Sequence, residues 1–336
     1  MTAYLETNSL DPTWNLAFEE YCLTDLTEHE KVILLWQNDN AIIIGRYQNA
    51  EKEINIDAVN KVGTKVVRRS TGGGTVYHDM GNLNYSFIFP IQGLQKQDFP
   101  YYAQPLVDAL DKIGVPAVIR GRNDIVLDDK KISGTAQRIY KNRLLHHGTL
   151  LYDSNLDVLE RVLNVDASKI ASKGISSVRK RVTNIKEHIP EGTFKDIHHF
   201  WDALLSALSE NEELTHMEPT GQMLEAVRKL QKEKYQSWDW NIGSAPPFEF
   251  NNGKRYPGGK LEVCVNVENG SITECKISGD FLGLIALDDL QNALLGVKYD
   301  ASHVLQKLKQ IDLVPYLGNI TAEEFVECMF EGTHQG

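Results

Sequence analysis

A chain of 336 residues, 42% hydrophobic and 24% charged, with a net charge of −11 at pH 7, can build one large or two moderate globular domains. The acidic balance argues against a general nucleic-acid binder, whose footprint is basic. No apolar run can span a bilayer, and the first six residues lack the basic start and apolar core of a signal peptide. Cys22, Cys264, Cys275 and Cys328 are far apart and lack metal-ligand spacing. The expectation is a reduced, cytoplasmic protein with neither a membrane nor a nucleic-acid partner.

Asp11-Pro12 predicts a helix start, Asp as N-cap and Pro in the first turn. Trp14, Ala17, Phe18 and Tyr21 then recur at helical spacing and should face a core. Two β-branched runs, 32–36 and 41–45, flank Asn38-Asp39-Asn40 and predict a hairpin. Residues 54–62 predict a short helix, and 64–67 and 83–89 predict strands. In the second strand Leu83, Tyr85, Phe87 and Phe89 alternate with Asn82, Asn84, Ser86 and Ile88, a period of two with one apolar face. A helix over 102–113 closes at Gly114. Strands follow at 118–120, 124–127, 131–133 and 145–152, then a helix at 156–163.

Residues 171–182 are small and basic without a clear period and predict a mobile loop. Helices are expected at 194–208 and 223–235. The Gly/Pro/Ser-rich stretch 237–247 has linker composition, although Trp238 and Trp240 signal that it packs on something. Beyond it, 260–267 and 271–277 around Glu268-Asn269-Gly270 predict a hairpin, followed by helices at 287–295, 301–311 and 321–330. The pattern is α/β (α+β), a large mixed-sheet domain over 1–244 and a small α+β domain over 245–336.

The run Arg68-Arg69-Ser70-Thr71-Gly72-Gly73-Gly74-Thr75-Val76-Tyr77-His78-Asp79 lies between two of these strands. Three glycines leave backbone N–H groups free to form an anion-binding concavity, and guanidinium groups pair with carboxylate or phosphate. The alternative is a turn with two solvated arginines. The run is neither of the helix-opening phosphate loops, G-x-x-x-x-G-K-[ST] or G-x-G-x-x-G. Asp124 follows as a candidate Mg²⁺ ligand beside a phosphate site, with a solvated carboxylate as the alternative. Lys130 and Lys131 should point to opposite faces of their strand, so one can enter a pocket where an oxygen gains charge, with two exposed lysines after an acidic turn as the alternative. His146 and His147 likewise face opposite sides and cannot chelate one metal, which removes a zinc site.

Taken together, RRSTGGGTVYHDMGNLNYSF (68–87), GRNDI (121–125), KISGTAQ (131–137), HHGTLLYD (146–153), KGISSVRKRVTN (173–184) and WDWN (238–241) resemble the lipoate–protein ligases. The likeness runs essentially end to end and includes a small C-terminal domain. The family's catalytic domain resembles those of biotin ligases and octanoyltransferases. The resemblance implies an ATP-dependent reaction in two steps. Lipoate and Mg·ATP give lipoyl-AMP and pyrophosphate, and a lysine of a lipoyl carrier domain then takes the acyl group. The implied carriers are the lipoyl domains of 2-oxoacid dehydrogenase acyltransferase subunits and the glycine-cleavage H protein.

By position, Lys131 matches the lysine that touches the reacting carboxylate and α-phosphate. Arg69, Thr71, Gly73, Gly74, Thr75, Val76 and Tyr77 match ATP-contacting or adenylate-contacting positions, Arg138 and His147 match residues near the intermediate, and 173–184 matches the adenylate-binding loop. Some relatives have Ala and Phe where this chain has Thr75 and Tyr77. Two anions meet when a carboxylate attacks the α-phosphate, so cations at Arg69 and Lys131, glycine amides and Mg²⁺ suit the step. No general base is evident. An octanoyltransferase of the same fold and a non-catalytic lipoyl-domain binder are the competing readings.

Overall fold

The computed structural model describes residues 2–48, 50, 54, 59, 63–91, 98–121, 123–158, 181–210, 213–242, 250–331 and 333–334. The expected helix at 54–62 apart from Ile54 and Val59, the helix at 156–163 beyond its first turn, and residues 171–180 of the basic stretch lie outside these.

An eight-stranded mixed sheet carries the larger part of the chain. Its strands are β1 (Thr2–Glu6), β2 (Lys31–Trp36), β6 (Asn82–Pro90), β7 (Val118–Arg120), β8 (Asp124–Leu127), β9 (Lys130–Tyr140), β10 (Arg143–Leu151) and β11 (Leu214–His216), in the order β11-β1-β2-β6-β10-β9-β8-β7. Its parallel pairs are β1 with β11 and β1 with β2, and the other pairs of neighbouring strands are antiparallel. Helices α2 (Phe99–Lys112) and α3 (Ile197–Ser209) cover one face, where Tyr85, Phe87, Leu106, Leu110 and Phe200 pack together. The other face takes α1 (Pro12–Thr24) and α4 (Gly221–Leu230), whose Phe18 and Val227 join Leu34 and Trp36. Helix α1 starts as expected. The Asp11 side chain accepts from Thr13 N–H, Pro12 fills the first turn, and Ala17 and Phe18 are buried.

The expected hairpin of 32–36 with 41–45 does not form. Both segments are strands, but β3 (Ala41–Ile44) belongs to a separate three-stranded sheet, parallel to β4 (Lys65–Arg68) and antiparallel to β5 (Val76–His78). Strand β2 pairs instead with β1 and β6. The reason lies in the connecting asparagines. Asn38 is buried and bonded through both side-chain atoms to Asn15 and His78, and Asn40 takes φ 40°, so the chain passes from one sheet to the other.

The C-terminal part has its own core and sheet, β12 (Phe250–Tyr256), β13 (Gly259–Glu268), β14 (Ser271–Gly279) and β15 (Thr333–His334) in the order β14-β13-β12-β15. The β13–β14 hairpin forms around Asn269 (φ 50°) and Gly270 (φ 74°), with Glu268 paired to Ser271, a two-residue turn of the type Asn-Gly favours. Helices fall at Asp288–Leu294, Ala301–Leu308 and Ala322–Glu331, within two or three residues of expectation. Strands β1, β5, β11, β12 and β15 have no counterpart in the sequence reading. The stretch read as a linker begins with a one-turn helix, Trp238–Asn241, packed against Arg68; 243–249 lie outside the described residues.

Candidate active site

The loop between β4 and β5 is shaped by its own arginines. Arg68 donates to the carbonyls of Gly45, Arg46, Gln48, Trp240 and Asn241, and the Trp240 indole donates back to Arg68 O at 2.8 Å. It is committed to the protein. Arg69 donates from Nε to Thr71 Oγ1 (3.0 Å), from Nη1 to Ile43 O (3.1 Å), and from Nη2 to Gly72 O (2.7 Å) and Gly74 O (2.8 Å). Burial lowers its pKa only to about 10, so it stays charged at neutral pH and faces the cavity described below. Of the three glycines only Gly73 has a positive φ, 90°. Its N–H donates to Phe281 O of the C-terminal part at 3.2 Å.

The Thr71 hydroxyl accepts from Arg69 and gives its own proton to His147 Nε2 at 2.8 Å. His147 Nδ1 donates to Glu19 Oε1 at 2.7 Å, because a carboxylate has only acceptors. Ser86 Oγ donates to the same oxygen at 2.5 Å and accepts the Trp36 indole N–H at 2.9 Å. One line of hydrogen bonds therefore joins Trp36, Ser86, Glu19, His147, Thr71 and Arg69 and fixes the tautomer of His147. A second line fixes His78. Asn15 Nδ2 donates to Gln37 O (2.7 Å) and to Asn38 Oδ1 (2.9 Å), so Asn38 Nδ2 donates to His78 Nδ1 (3.0 Å). The proton sits on His78 Nε2, which has no partner among the described residues and lines the cavity. Burial, with Arg69 and His147 close by, pulls the His78 pKa down to about 3, so this ring is neutral.

Lys131 owes its direction to a β-bulge. Lys131 pairs with Val126 and Ser133 pairs with Ile125, so Ile132 is an extra residue on β9. Residues three apart on a regular strand face opposite sides, and one inserted residue reverses that parity. Lys131 consequently lies on the face of Gly134, and a Cβ atom built on Gly134 would stand 2.9 Å from Lys131 Nζ. The ammonium meets Asp124 Oδ1 at 2.6 Å. Lys130 is exposed.

These groups surround one cavity of about 130 Å³, walled by Arg69, Gly73, Gly74, Thr75, Val76, Lys131 and His147, together with Leu16, Trp36, Ile43, His78, Asn84, Asn123 and Thr135. Strand register gives its direction. Trp36 sits opposite Asn84, Asn84 opposite Thr149, Gly148 opposite Thr135, and Gly134 opposite Asp124. The cavity therefore runs across the strands. Trp36 and Gly134 are three strands apart, about 14 Å at ordinary sheet spacing. The Trp36 end is aromatic and neutral; the Lys131 end is charged.

Four expected residues stand off this wall. Thr71 is behind it, holding His147. Tyr77 packs with Ile42 and Ile44 in a separate cluster and donates to Asn40 at 3.3 Å. Arg138 points away, pairing with Glu20 at 2.8 Å beside Lys234 and Tyr235. Burial alone would raise the Glu20 pKa, but Arg138 and Lys234 hold it at about 2. Asp124 touches the site through Lys131. The sequence reading missed Glu19, Trp36, His78, Asn84 and Ser86. A signal was present: Asn82, Asn84 and Ser86 form the second face of β6, and short polar residues alternating with aromatics on a strand buried on both faces mark a polar site, not a solvent side.

The C-terminal part meets the glycine loop directly. Besides Gly73 to Phe281, the Tyr47 ring stacks on Phe281 with centroids 5.2 Å apart, the Tyr47 hydroxyl donates to Ile285 O, and Ile139 N–H donates to Leu284 O.

Family models match twice: the lipoyl protein ligase A/B catalytic domain over residues 11–209 and the bacterial lipoate protein ligase C-terminus over 245–329. The chain is 41% identical over 326 residues to lipoate-protein ligase LplJ of Bacillus subtilis (96% of this chain, 98% of the relative). It is 40% identical over 322 residues to lipoate–protein ligase 1 of Staphylococcus aureus, with the same coverage of 96% and 98%. Among solved structures, Plasmodium falciparum LipL1 in complex with lipoate superposes with TM-score 0.74 at 26% identity, covering 93% of this chain and 95% of that one. A lipoate-protein ligase A bound with ATP gives 0.61 at 28% (72% and 99%). The bipartite ligase of Thermoplasma acidophilum, described with its E2 lipoyl domain, gives 0.63 at 28% (74% and 98%).

Proposed function

The chain belongs to the lipoate–protein ligase family and is an ATP-dependent, adenylate-forming ligase, and we propose that the cavity between Trp36 and Lys131 is where it activates lipoate. The carrying observation is the polarity of that cavity along its length. A neutral aromatic end suits the dithiolane ring, and a charged end three strands away suits the carboxylate and the α-phosphate.

In the first step a lipoate carboxylate oxygen attacks the α-phosphorus and pyrophosphate leaves. Lys131 and Arg69 face the meeting anions, and Gly74 and Thr75 of the glycine loop stand beside them. The line from Trp36 to Thr71 keeps that loop in one shape before the ligand arrives. In the second step the carrier amine attacks the acyl carbon and AMP leaves. The amine must first lose a proton, at a cost of roughly 4–5 kcal/mol at pH 7, which proximity to the anhydride offsets.

Among the described residues no three carboxylate, His or Cys side chains gather as a metal cage. Asp124, partly exposed with one oxygen on Lys131, fits Mg²⁺ carried by the nucleotide, a metal that takes one or two carboxylates plus phosphate oxygens. Magnesium would there neutralise charge on the phosphates.

We assign residues 1–244 to a catalytic domain and 245–336 to an accessory domain, in line with the two family matches and the separate core of the second. The carriers we propose are lipoyl domains of 2-oxoacid dehydrogenase acyltransferase subunits and the H protein, by analogy with the archaeal ligase and its E2 lipoyl domain. A cytoplasmic site is consistent with four free cysteines and with the lack, among the described residues, of a helix long and apolar enough to cross a membrane. The test is mass spectrometry of a lipoyl domain incubated with enzyme, ATP and lipoate. A mass gain of one lipoyl group that requires ATP and is lost in Lys131→Ala is expected; unchanged modification by that variant would remove Lys131 from the role.

A further inference from the structure

We propose that His188, with Thr183 and Asp128, is a positioning residue that holds the bulge aiming Lys131. This rests on the assignment of Lys131 to the activation step. Strand β9 pairs with β8 over 130–134 and with β10 over 135–140. Pairing with β10 stops at Thr135, leaving the edge of Lys131 without a strand from the main sheet. Val182 fills that edge as a parallel bridge to Lys131, and Thr183 N–H donates to Lys131 O at 3.0 Å. The bulge at Ile132 is therefore gripped from both sides, by Val126 of β8 and by Val182.

His188 ties these two grips together. One imidazole nitrogen lies 2.8 Å from Thr183 Oγ1, and the other, Nδ1, donates to Asp128 Oδ2 at 2.7 Å. Asp128 belongs to the turn that leads from β8 into Lys130-Lys131. That turn holds two non-glycine residues at positive φ, Asp128 at 47° and Asp129 at 65°, a conformation that needs support from its surroundings. Asp129 has a salt bridge from Arg120 at 2.5 Å; Asp128 has His188. The imidazole, with its side chain only 13% exposed, thus locks the start of β9 to the segment that pairs with Lys131. Loss of the lock lets the bulge shift register, and an ammonium misplaced by about 1 Å can cost on the order of 10²-fold in rate.

The experiment measures pyrophosphate release and lipoate affinity for the full chain carrying His188→Ala, His188→Gln or Asp128→Gly. Glutamine keeps a donor and an acceptor; glycine keeps the turn's positive φ and removes only the carboxylate. His188→Ala and Asp128→Gly are expected to lower kcat at least tenfold, with lipoate Kd and melting temperature near wild type, and His188→Gln to recover most of the rate. Wild-type kcat in His188→Ala, or a loss that glutamine does not restore, would overturn the positioning role while leaving Lys131 in place. Full activity of Lys131→Ala alone would instead overturn the assignment on which it rests.

Discussion

Gly134 leaves open the space that the Lys131 ammonium occupies, 2.9 Å from where a Cβ atom would be. An alanine there meets only the far end of a flexible side chain, and Gly134 does not have a positive φ, so the fold should tolerate the change. Gly134→Ala is expected to lower pyrophosphate release by about ten- to a hundredfold through misplacement of one charge, with a melting temperature within a few degrees of wild type. Lys131→Ala should abolish lipoyl-AMP formation in a folded protein, and Lys130→Ala, on the exposed side, should be nearly silent. Equal activity of Gly134→Ala and wild type would show that the ammonium works from another position.

Removing everything after Ser244 should leave a folded domain that activates lipoate poorly. The larger part has its own core on each face of the main sheet, but Tyr47 loses its stacking partner and Gly73 N–H its acceptor when Phe281 is gone. Access of water to a hydrolysable anhydride should rise as well. Pyrophosphate release by residues 1–244 is expected to fall at least tenfold; full activity would show that the accessory domain gives no assistance.

A cysteine-free variant should still lipoylate its carrier with ATP. A thioester route needs a thiolate in the site. Cys22 is buried against α1's core, where burial pushes its thiol well above the usual range, and the other three cysteines lie in the C-terminal part. Some stability should be lost, about 1 kcal/mol for each of the buried Cys22 and Cys328. Assays with ATP plus lipoate, and separately with an octanoyl carrier and no ATP, distinguish the routes. Transfer in the second assay that disappears with Cys22 alone would reverse the assignment.

Acid should destabilise the protein in two stages. His78 and His146 are buried and held neutral, each with its pKa pulled to about 3, by burial above all. Unfolded histidine takes a proton near pH 6.5, so stability should fall as pH drops from there towards 3. Glu20 stays ionised down to about 2 because Arg138 and Lys234 outweigh its burial. The unfolded carboxylate binds a proton near 4.3, so a further contribution on the order of 3 kcal/mol is lost between roughly pH 5 and 2. Urea midpoints from pH 7.5 to 2.5 should fall steadily, and Glu20→Gln should flatten the lower part of that curve. A midpoint that rises on acidification to pH 5 would contradict the assignment of these buried groups.

Local chemistry in the sequence was enough for the Asp11-Pro12 helix start, the Asn269-Gly270 hairpin, the C-terminal helices and the glycine loop with its lysine. Each depends on residues a few positions apart, where capping, turn conformation and periodicity act without knowledge of the rest of the chain. The reading failed where the deciding partner was distant. Strands β2 and β3 look like a hairpin until Asn38 finds Asn15 and His78. The alternation of β6 shows an apolar face, yet only packing against α1 turns Asn84 and Ser86 into site residues. Arg138 carries the family's position but is claimed by Glu20 of α1. The aim of Lys131 depends on one unpaired residue, Ile132, whose effect appears only once β8 sets the register. Periodicity gives the face of a side chain along one strand; the neighbouring strand decides whether that count is interrupted.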